Sequence, residues 1–159
     1  MYSWLMMKQS EPDKLAGGAP KLNDQLCFAL YSTSRAMSKT YRPLLAPLGL
    51  TYPQFLVMLV LWAGDRITVT ELGDHLFLDS ATLTPLLKRL QAAGLVTRTR
   101  TSEDEREVLI ALTPAGVRLK SKANAVHSGI VRAAQCPAKE LASIKTKLEL
   151  LRANLLRNA

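Results

Sequence analysis

The chain has 159 residues, of which 48% are hydrophobic, and its 21 Lys and Arg against 13 Asp and Glu give a formal net charge of +8. This length and composition correspond to about one folded domain and exclude disorder throughout. No apolar run approaches the roughly 18 residues of a membrane span, and two cysteines cannot form the disulfide scaffold of a small secreted protein. We therefore expect a cytoplasmic protein with no membrane partner. Its positive net charge favours binding to a polyanion.

The first part of the chain predicts an arm followed by two helices. Residues 1–20 contain Pro and Gly without a hydrophobic period, which predicts a flexible N-terminal arm. From Leu22 the apolar residues recur at helical spacing, and this predicts a long amphipathic helix that bends or ends between Pro43 and Pro47. A second helix, apolar on nearly all sides and therefore central, is predicted over 52–63.

The middle of the chain predicts a helix–turn–helix followed by a hairpin. A short strand over 67–69 leads into a helix with Thr70 as its expected N-cap. The next helix is expected to end at Gly94 in a left-handed cap. Two β-type runs around a charged tip then predict a hairpin over 95–113. A helix–turn–helix plus a hairpin is the pattern of a winged helix.

The last part of the chain predicts two long helices. The first opens at Pro114 and runs to about Ala134, and a break at Pro137 separates it from the second. The final helix carries a heptad seam, formed by Leu141, Ile144, Leu148, Leu151 and Leu155. Because one small domain cannot cover the first and last helices, we expect them to pack against a second copy of the chain. The predicted fold is therefore mainly α, with an arm (1–20), a dimerisation and sensing helix (21–50), a winged helix–turn–helix (51–116) and C-terminal dimerisation helices (117–159).

The distribution of charge indicates where DNA binds. Residues 51–80 have one basic side chain against four acidic ones, whereas 81–102 have four basic side chains and no acid. The second helix of a helix–turn–helix enters the major groove, and here its outward face is expected to present Ser80, Thr82, Thr84, Pro85, Lys88 and Arg89. The wing would contribute Arg98, Arg100 and Arg106, with Asp104 holding Arg106 extended.

The segment 70–116 resembles the winged helix of the MarR family of bacterial transcription regulators, and it reads TELGDHLFLDSATLTPLLKRLQAAGLVTRTRTSEDEREVLIALTPAG. The Asp104–x–Arg106 pattern matches the wing motif of that family, and the predicted order of helices matches from about residue 22 onward. The resemblance implies a homodimer that binds a pseudo-palindromic operator and is switched by a small molecule or an oxidant.

Cys27 is the candidate for the switch. It lies near the start of the first helix, where the positive end of the helix dipole favours a thiolate. Tyr31 shares its face, whereas Tyr41 lies about 21 Å away along an unbroken helix, so Tyr41 and Tyr52 are expected to reach Cys27 of the other subunit. The set resembles the sensing site of the OhrR branch, the organic-hydroperoxide repressors. By that resemblance Cys27 reacts with the peroxide and the three tyrosines form hydrogen bonds to it.

Cys136 is expected to be the resolving thiol of a two-cysteine subtype, because a second cysteine beyond the fifth helix resembles that subtype. Its place at a helix break in the dimerising region favours a disulfide with Cys27 of the other subunit. Two alternatives stay open: a MarR-type regulator switched by a small aromatic ligand, with Cys27 a bystander, and a thiol peroxidase, although we expect no enzyme. His75 and His127 fit no metal-ligand spacing, so neither a metal nor a cofactor is expected.

Overall fold

The structure, a computed structural model, describes residues 20–100 and 107–158. The chain divides into two compact units at Met37–Ser38, and each is described separately below. Short 3₁₀ turns cover Leu22–Asp24 and Ala46–Leu48. The helices and strands are α1 (Leu26–Leu45), α2 (Tyr52–Ala63), β1 (Ile67–Thr68), α3 (Val69–Leu76), α4 (Ser80–Ala92), β2 (Val96–Arg100), β3 (Val108–Leu112), α5 (Pro114–Ala134) and α6 (Ala138–Arg157).

The predicted mainly α, winged-helix fold is confirmed. Helices α3 and α4 form the helix–turn–helix, and β2 and β3 form the wing as an antiparallel pair that runs from Val96 opposite Leu112 to Arg100 opposite Val108. Strand β1 adds to the other edge of β3, so the sheet order is β1-β3-β2. The wing tip, residues 101–106, lies outside the described residues, and so do the predicted Asp104 and Arg106.

The predicted N-cap of α3 is wrong, because Thr68 rather than Thr70 occupies that position. The Thr68 hydroxyl accepts the N–H of Glu71 at 3.1 Å, and the Glu71 carboxylate accepts the N–H of Thr68 at 2.8 Å. This reciprocal capping box requires an acidic or amide side chain three residues after the cap. A cap at Thr70 would place Gly73 there, which has no side chain. The strand before α3 is accordingly two residues long, Ile67–Thr68.

The core lies in the second unit, between the helix–turn–helix, the sheet and helices α2 and α5. Its largest fully buried side chains are Leu45, Val57, Met58, Leu61, Leu72, Leu83, Leu87, Leu90, Val96, Ile110 and Val126. The indole N–H of Trp62 donates to the carbonyl of Gly116 at 2.9 Å, and the Lys120 ammonium donates to the carbonyl of Trp62 at 2.8 Å. These two bonds fix the end of α2 against the start of α5.

Helix α6 contrasts with this core because none of its residues is buried. Its predicted seam includes Ile144, Leu148 and Leu155, which are 45%, 40% and 62% exposed. No single helix of the described residues is both long and apolar enough to cross a bilayer, although the bent pair Leu26–Leu48 and Tyr52–Ala63 meets those two criteria together.

Candidate nucleic-acid interface and cysteine sites

Helix α4 is anchored on one side and exposed on the other. Asp79 caps it, since its carboxylate accepts the N–H of Thr82 at 2.6 Å, and this hydrogen bond lowers the pKa of Asp79. The buried face consists of Leu83, Leu87 and Leu90. The predicted contact residues lie on the remaining surface: Ser80, Thr82, Pro85, Lys88 and Arg89 are exposed, and Thr84 is half-buried.

The threonine hydroxyls at the start of α4 already donate hydrogen bonds within the protein. The Thr84 hydroxyl donates to the Ser80 carbonyl at 2.7 Å, so its proton is used within the helix and its oxygen remains an acceptor. Thr82 is exposed, and its hydroxyl donates to the Asp79 carboxylate that caps the helix, so its oxygen too remains an acceptor for a base edge. Lys88 and Arg89 follow one to two turns later and supply positive charge.

The wing carries two of the predicted basic residues within the described chain. Arg100 is exposed at the outer end of β2, while Arg98 is half-buried and pairs in register with Ile110. The Arg98 Nε is buried and has no hydrogen-bond partner in the part of the chain that the structure describes. Because this buried Nε is out of reach of DNA, a phosphate contact from Arg98 would use the terminal amino groups of its guanidinium.

Contacts between distant residues hold the base of the wing, and sequence reasoning missed them. The Asp65 carboxylate accepts the N–H of Leu112 at 2.8 Å, and the Thr113 hydroxyl donates to the Gly94 carbonyl at 2.6 Å. A side chain at Gly116 would overlap the carbonyl oxygen of Leu95. The start of α5 therefore presses directly on the strand that leads into the wing.

Within the first unit, Cys27 is an exposed free thiol in the first turn of α1. Tyr31 lies four residues later, and its side chain is 58% exposed. The Arg35 Nη1 donates to the Tyr31 hydroxyl oxygen at 3.5 Å, and the guanidinium lies 5.6 Å from the ring centroid. Arg35 was not among the predicted site residues, although its spacing of four from Tyr31 is a signal that the sequence contains.

Within the second unit, the structure brings Tyr41 and Tyr52 together. Their ring centroids are 4.4 Å apart, and the Phe55 ring lies 6.2 Å from that of Tyr41. Burial raises the pKa of both phenols, and the neighbouring Tyr52 raises that of Tyr41 further. Both hydroxyls are consequently protonated at neutral pH and can donate hydrogen bonds.

Cys136 lies between the last two helices. It follows Gln135, which ends α5 in the left-handed region with φ 47°, and it precedes Pro137, the N-cap of α6. Partial burial raises the pKa of this free thiol, and the nearby Glu140 carboxylate raises it further. Glu140 was also missed, although it follows the cysteine by four residues.

No group of three or more His, Cys, Asp or Glu side chains among the described residues is arranged to hold a metal ion.

Comparison with known proteins gives the same architecture. A family described as transcriptional regulator SarA/Rot matches residues 39–123. The organic hydroperoxide resistance transcriptional regulator of Bacillus subtilis is 48% identical over 131 residues, which cover 82% of this chain and 89% of the relative. A mutant of MarR from E. coli in complex with operator DNA is similar with a TM-score of 0.71 and 26% identity, over 79% of this chain and 92% of that one.

A further relative, AbfR of Staphylococcus epidermidis, has been solved in several redox states. Reduced AbfR bound to DNA matches with a TM-score of 0.70 and 38% identity, over 85% of this chain and 94% of that one. The disulfide form matches with a TM-score of 0.59 at the same identity, over 82% and 91%.

Proposed function

Because this chain belongs to the MarR-type winged-helix transcription regulators, in the branch of the organic hydroperoxide resistance regulators, we propose that it is a repressor that leaves its operator when an organic hydroperoxide oxidises Cys27. The observation that carries the proposal is an exposed thiol in the first turn of α1, followed one turn later by Tyr31, in a chain so similar to a hydroperoxide resistance regulator.

The DNA-binding state is a homodimer in which α6 and the first helix supply the interface. The exposed apolar residues of α6, Ile144, Leu148 and Leu155, would be covered by the second copy. The two α4 helices would then enter successive major grooves about one helical turn apart. Lys88, Arg89 and the wing arginines would neutralise phosphates, and the exposed hydroxyls at the start of α4 would contact base edges.

Sensing begins with the Cys27 thiolate, which attacks the peroxide oxygen. A sulfenic acid forms on the cysteine, the O–O bond breaks, and the alkoxide takes up a proton and leaves as the alcohol. Tyr31 would donate to the sulfur from the same helix. Tyr41 and Tyr52 would donate from the partner subunit, because fourteen residues span about 21 Å of α-helix, and their packing against each other lets one partner deliver both.

The sulfenic acid is then resolved by Cys136 of the partner subunit. Its thiol attacks the Cys27 sulfur, an S–S bond forms, and the hydroxyl group leaves as water with the proton of the thiol. A disulfide requires Cα atoms within about 7 Å, so the helices that carry the two cysteines must move. A relative of this chain, AbfR, has been solved both in a reduced and in a disulfide form, which supports disulfide formation as the response.

Operator binding with and without cumene hydroperoxide tests the proposal. We expect the parent protein to be released, Cys27→Ser to bind and stay bound, and Cys136→Ser to react without forming a covalent dimer on a non-reducing gel. Release of Cys27→Ser by the peroxide would overturn the sensing role. Release by an aromatic acid regardless of Cys27 would favour the ligand-responsive alternative, and consumption of many equivalents of peroxide with a thiol donor would favour a peroxidase.

A further inference from the structure

Phe77 is an unusual residue in the turn of the helix–turn–helix. It directly follows α3 and has φ 56° and ψ 41°, a left-handed conformation that a bulky side chain rarely adopts. The N–H of Leu78 donates to the carbonyl of Gly73 at 3.0 Å across the turn, a bond that commonly accompanies a left-handed residue at the end of a helix. The aromatic ring is 56% exposed, so the core of the protein does not explain why it is there.

A basic side chain of α6 contacts the exposed ring. The guanidinium carbon of Arg152 lies 4.2 Å from the centroid of the Phe77 ring, which is within cation–π distance. Arg152 belongs to α6 and follows Leu151, so it borders the heptad seam that we assign to the dimer. Arg152 therefore links a helix that we assign to the dimer interface with the turn of the helix–turn–helix.

We propose that the Phe77–Arg152 contact is a strut that fixes the orientation of the helix–turn–helix relative to α6, and that these two residues position α4 for operator binding. The inference rests on the proposed dimeric repressor. Helix α4 begins at Ser80, three residues after Phe77, so a displacement of Phe77 is passed to the reading helix over a short, capped turn. In a dimer, two such struts would set the distance between the reading helices, which must match the half-site spacing of the operator.

The test uses a palindromic duplex that the parent dimer selects from random DNA, together with versions whose half-sites are one base pair closer or farther apart. Arg152→Ala should keep the dimer but weaken binding to the native spacing roughly five- to thirtyfold, as expected for two exposed cation–π contacts. It should also lose most of the discrimination against altered spacing. The matched control is Lys147→Ala, which removes an exposed cation at the other border of the same seam and should preserve that discrimination.

Variants of Phe77 separate the strut from a simple loss of charge. Phe77→Tyr keeps an aromatic ring and should behave as the parent, whereas Phe77→Leu should reproduce Arg152→Ala, and the double variant should be no worse than either single one. Additive losses, unchanged spacing discrimination in Arg152→Ala, or dissociation of its dimer would each overturn the proposal. Because Arg152 is exposed on the surface, its variant answers the question even if Phe77→Leu fails to fold. Failure of peroxide to release the parent would refute the proposed sensing while leaving this result intact.

Discussion

The winged-helix region, residues 51–116, and helix α6 use apolar residues in opposite ways. In the former, side chains such as Met58, Leu72 and Leu87 are fully buried, and bonds between distant elements fix the wing. In α6, 20 residues include no buried side chain, and four of its leucines, Leu148, Leu150, Leu155 and Leu156, lie exposed. A helix in water gains most of its stability from packing an apolar face. The winged-helix region already buries its apolar side chains, whereas the exposed face of α6 would be covered by the proposed second copy.

The largest effect is expected from Gly116→Ala, which tests whether close backbone packing holds the winged-helix region. A Cβ there would overlap the Leu95 carbonyl, so α5 or the start of the wing must shift, at about 3 kcal/mol of the free energy of unfolding. Denaturant unfolding measures the loss. Gly64→Ala is the control, because nothing lies within 4 Å of a Cβ at Gly64 and its φ of −149° suits any residue. If the two variants were equally stable, close packing at Gly116 would not stabilise the winged-helix region.

A smaller effect is expected from Leu148→Ser, which tests whether the exposed apolar face of α6 forms the dimer interface. Leu148 is 40% exposed in the single chain. Covering that remainder in both subunits is worth about 1–2.5 kcal/mol, so the dissociation constant of the dimer should rise roughly five- to seventyfold. Sedimentation over a concentration series measures it. Leu150→Ser is the control, because Leu150 is 62% exposed and lies off the seam; a similar weakening by both variants would contradict a seam-specific interface.

Local patterns in the sequence were sufficient for the helices and their order. The apolar run of α2 and the Thr-Pro start of α5 determine elements that the structure places at Tyr52–Ala63 and Pro114–Ala134. The cap of α3 was misplaced because two threonines compete, and only the partner three residues later distinguishes them.

The contacts that hold the site were much less accessible to prediction. Asp65 and Leu112 are 47 residues apart. Phe77, in the turn after α3, contacts Arg152 of α6, and no local spacing in the sequence predicts either contact. For peroxide sensing, the sequence indicates which residues are candidates, namely the two cysteines and the tyrosines. Their proposed partners belong to a second subunit, and such an arrangement depends on how two surfaces pack rather than on any local period.

A further prediction concerns Arg100, whose loss should affect DNA binding but not assembly. It is exposed at the end of β2, so Arg100→Ala should remove two phosphate contacts per dimer. The slope of log affinity against log salt should fall by about 1.8, with roughly tenfold weaker binding. Titrations between 50 and 200 mM salt measure the slope. The control is Lys145→Ala, which removes an ammonium that pairs with Glu149 on α6 at 2.6 Å. An equal change in slope for this variant would contradict the assignment of the wing as the DNA-binding surface.

The smallest effect is expected at the junction of α5 and α6, where Glu140→Gln should make Cys136 more reactive. Burial and the Glu140 carboxylate both raise the pKa of this thiol. Removing the negative charge lowers the pKa, so at a fixed pH below it the thiolate fraction increases. In a Cys27→Ser background, where Cys136 is the remaining cysteine, the rate of reaction with an aromatic disulfide reagent should rise, and its pH profile should move to lower pH.

The control for this last prediction is Glu149→Gln, which removes an equal charge from the same helix, near Lys145 rather than near the thiol. Its profile should coincide with that of the Cys27→Ser parent. A coincident profile for Glu140→Gln would show that the carboxylate does not act on Cys136. A shifted profile would explain how the two cysteines of one chain can differ in role: a thiol held protonated reacts slowly with peroxide, and it remains available to attack the sulfenic acid that forms on Cys27.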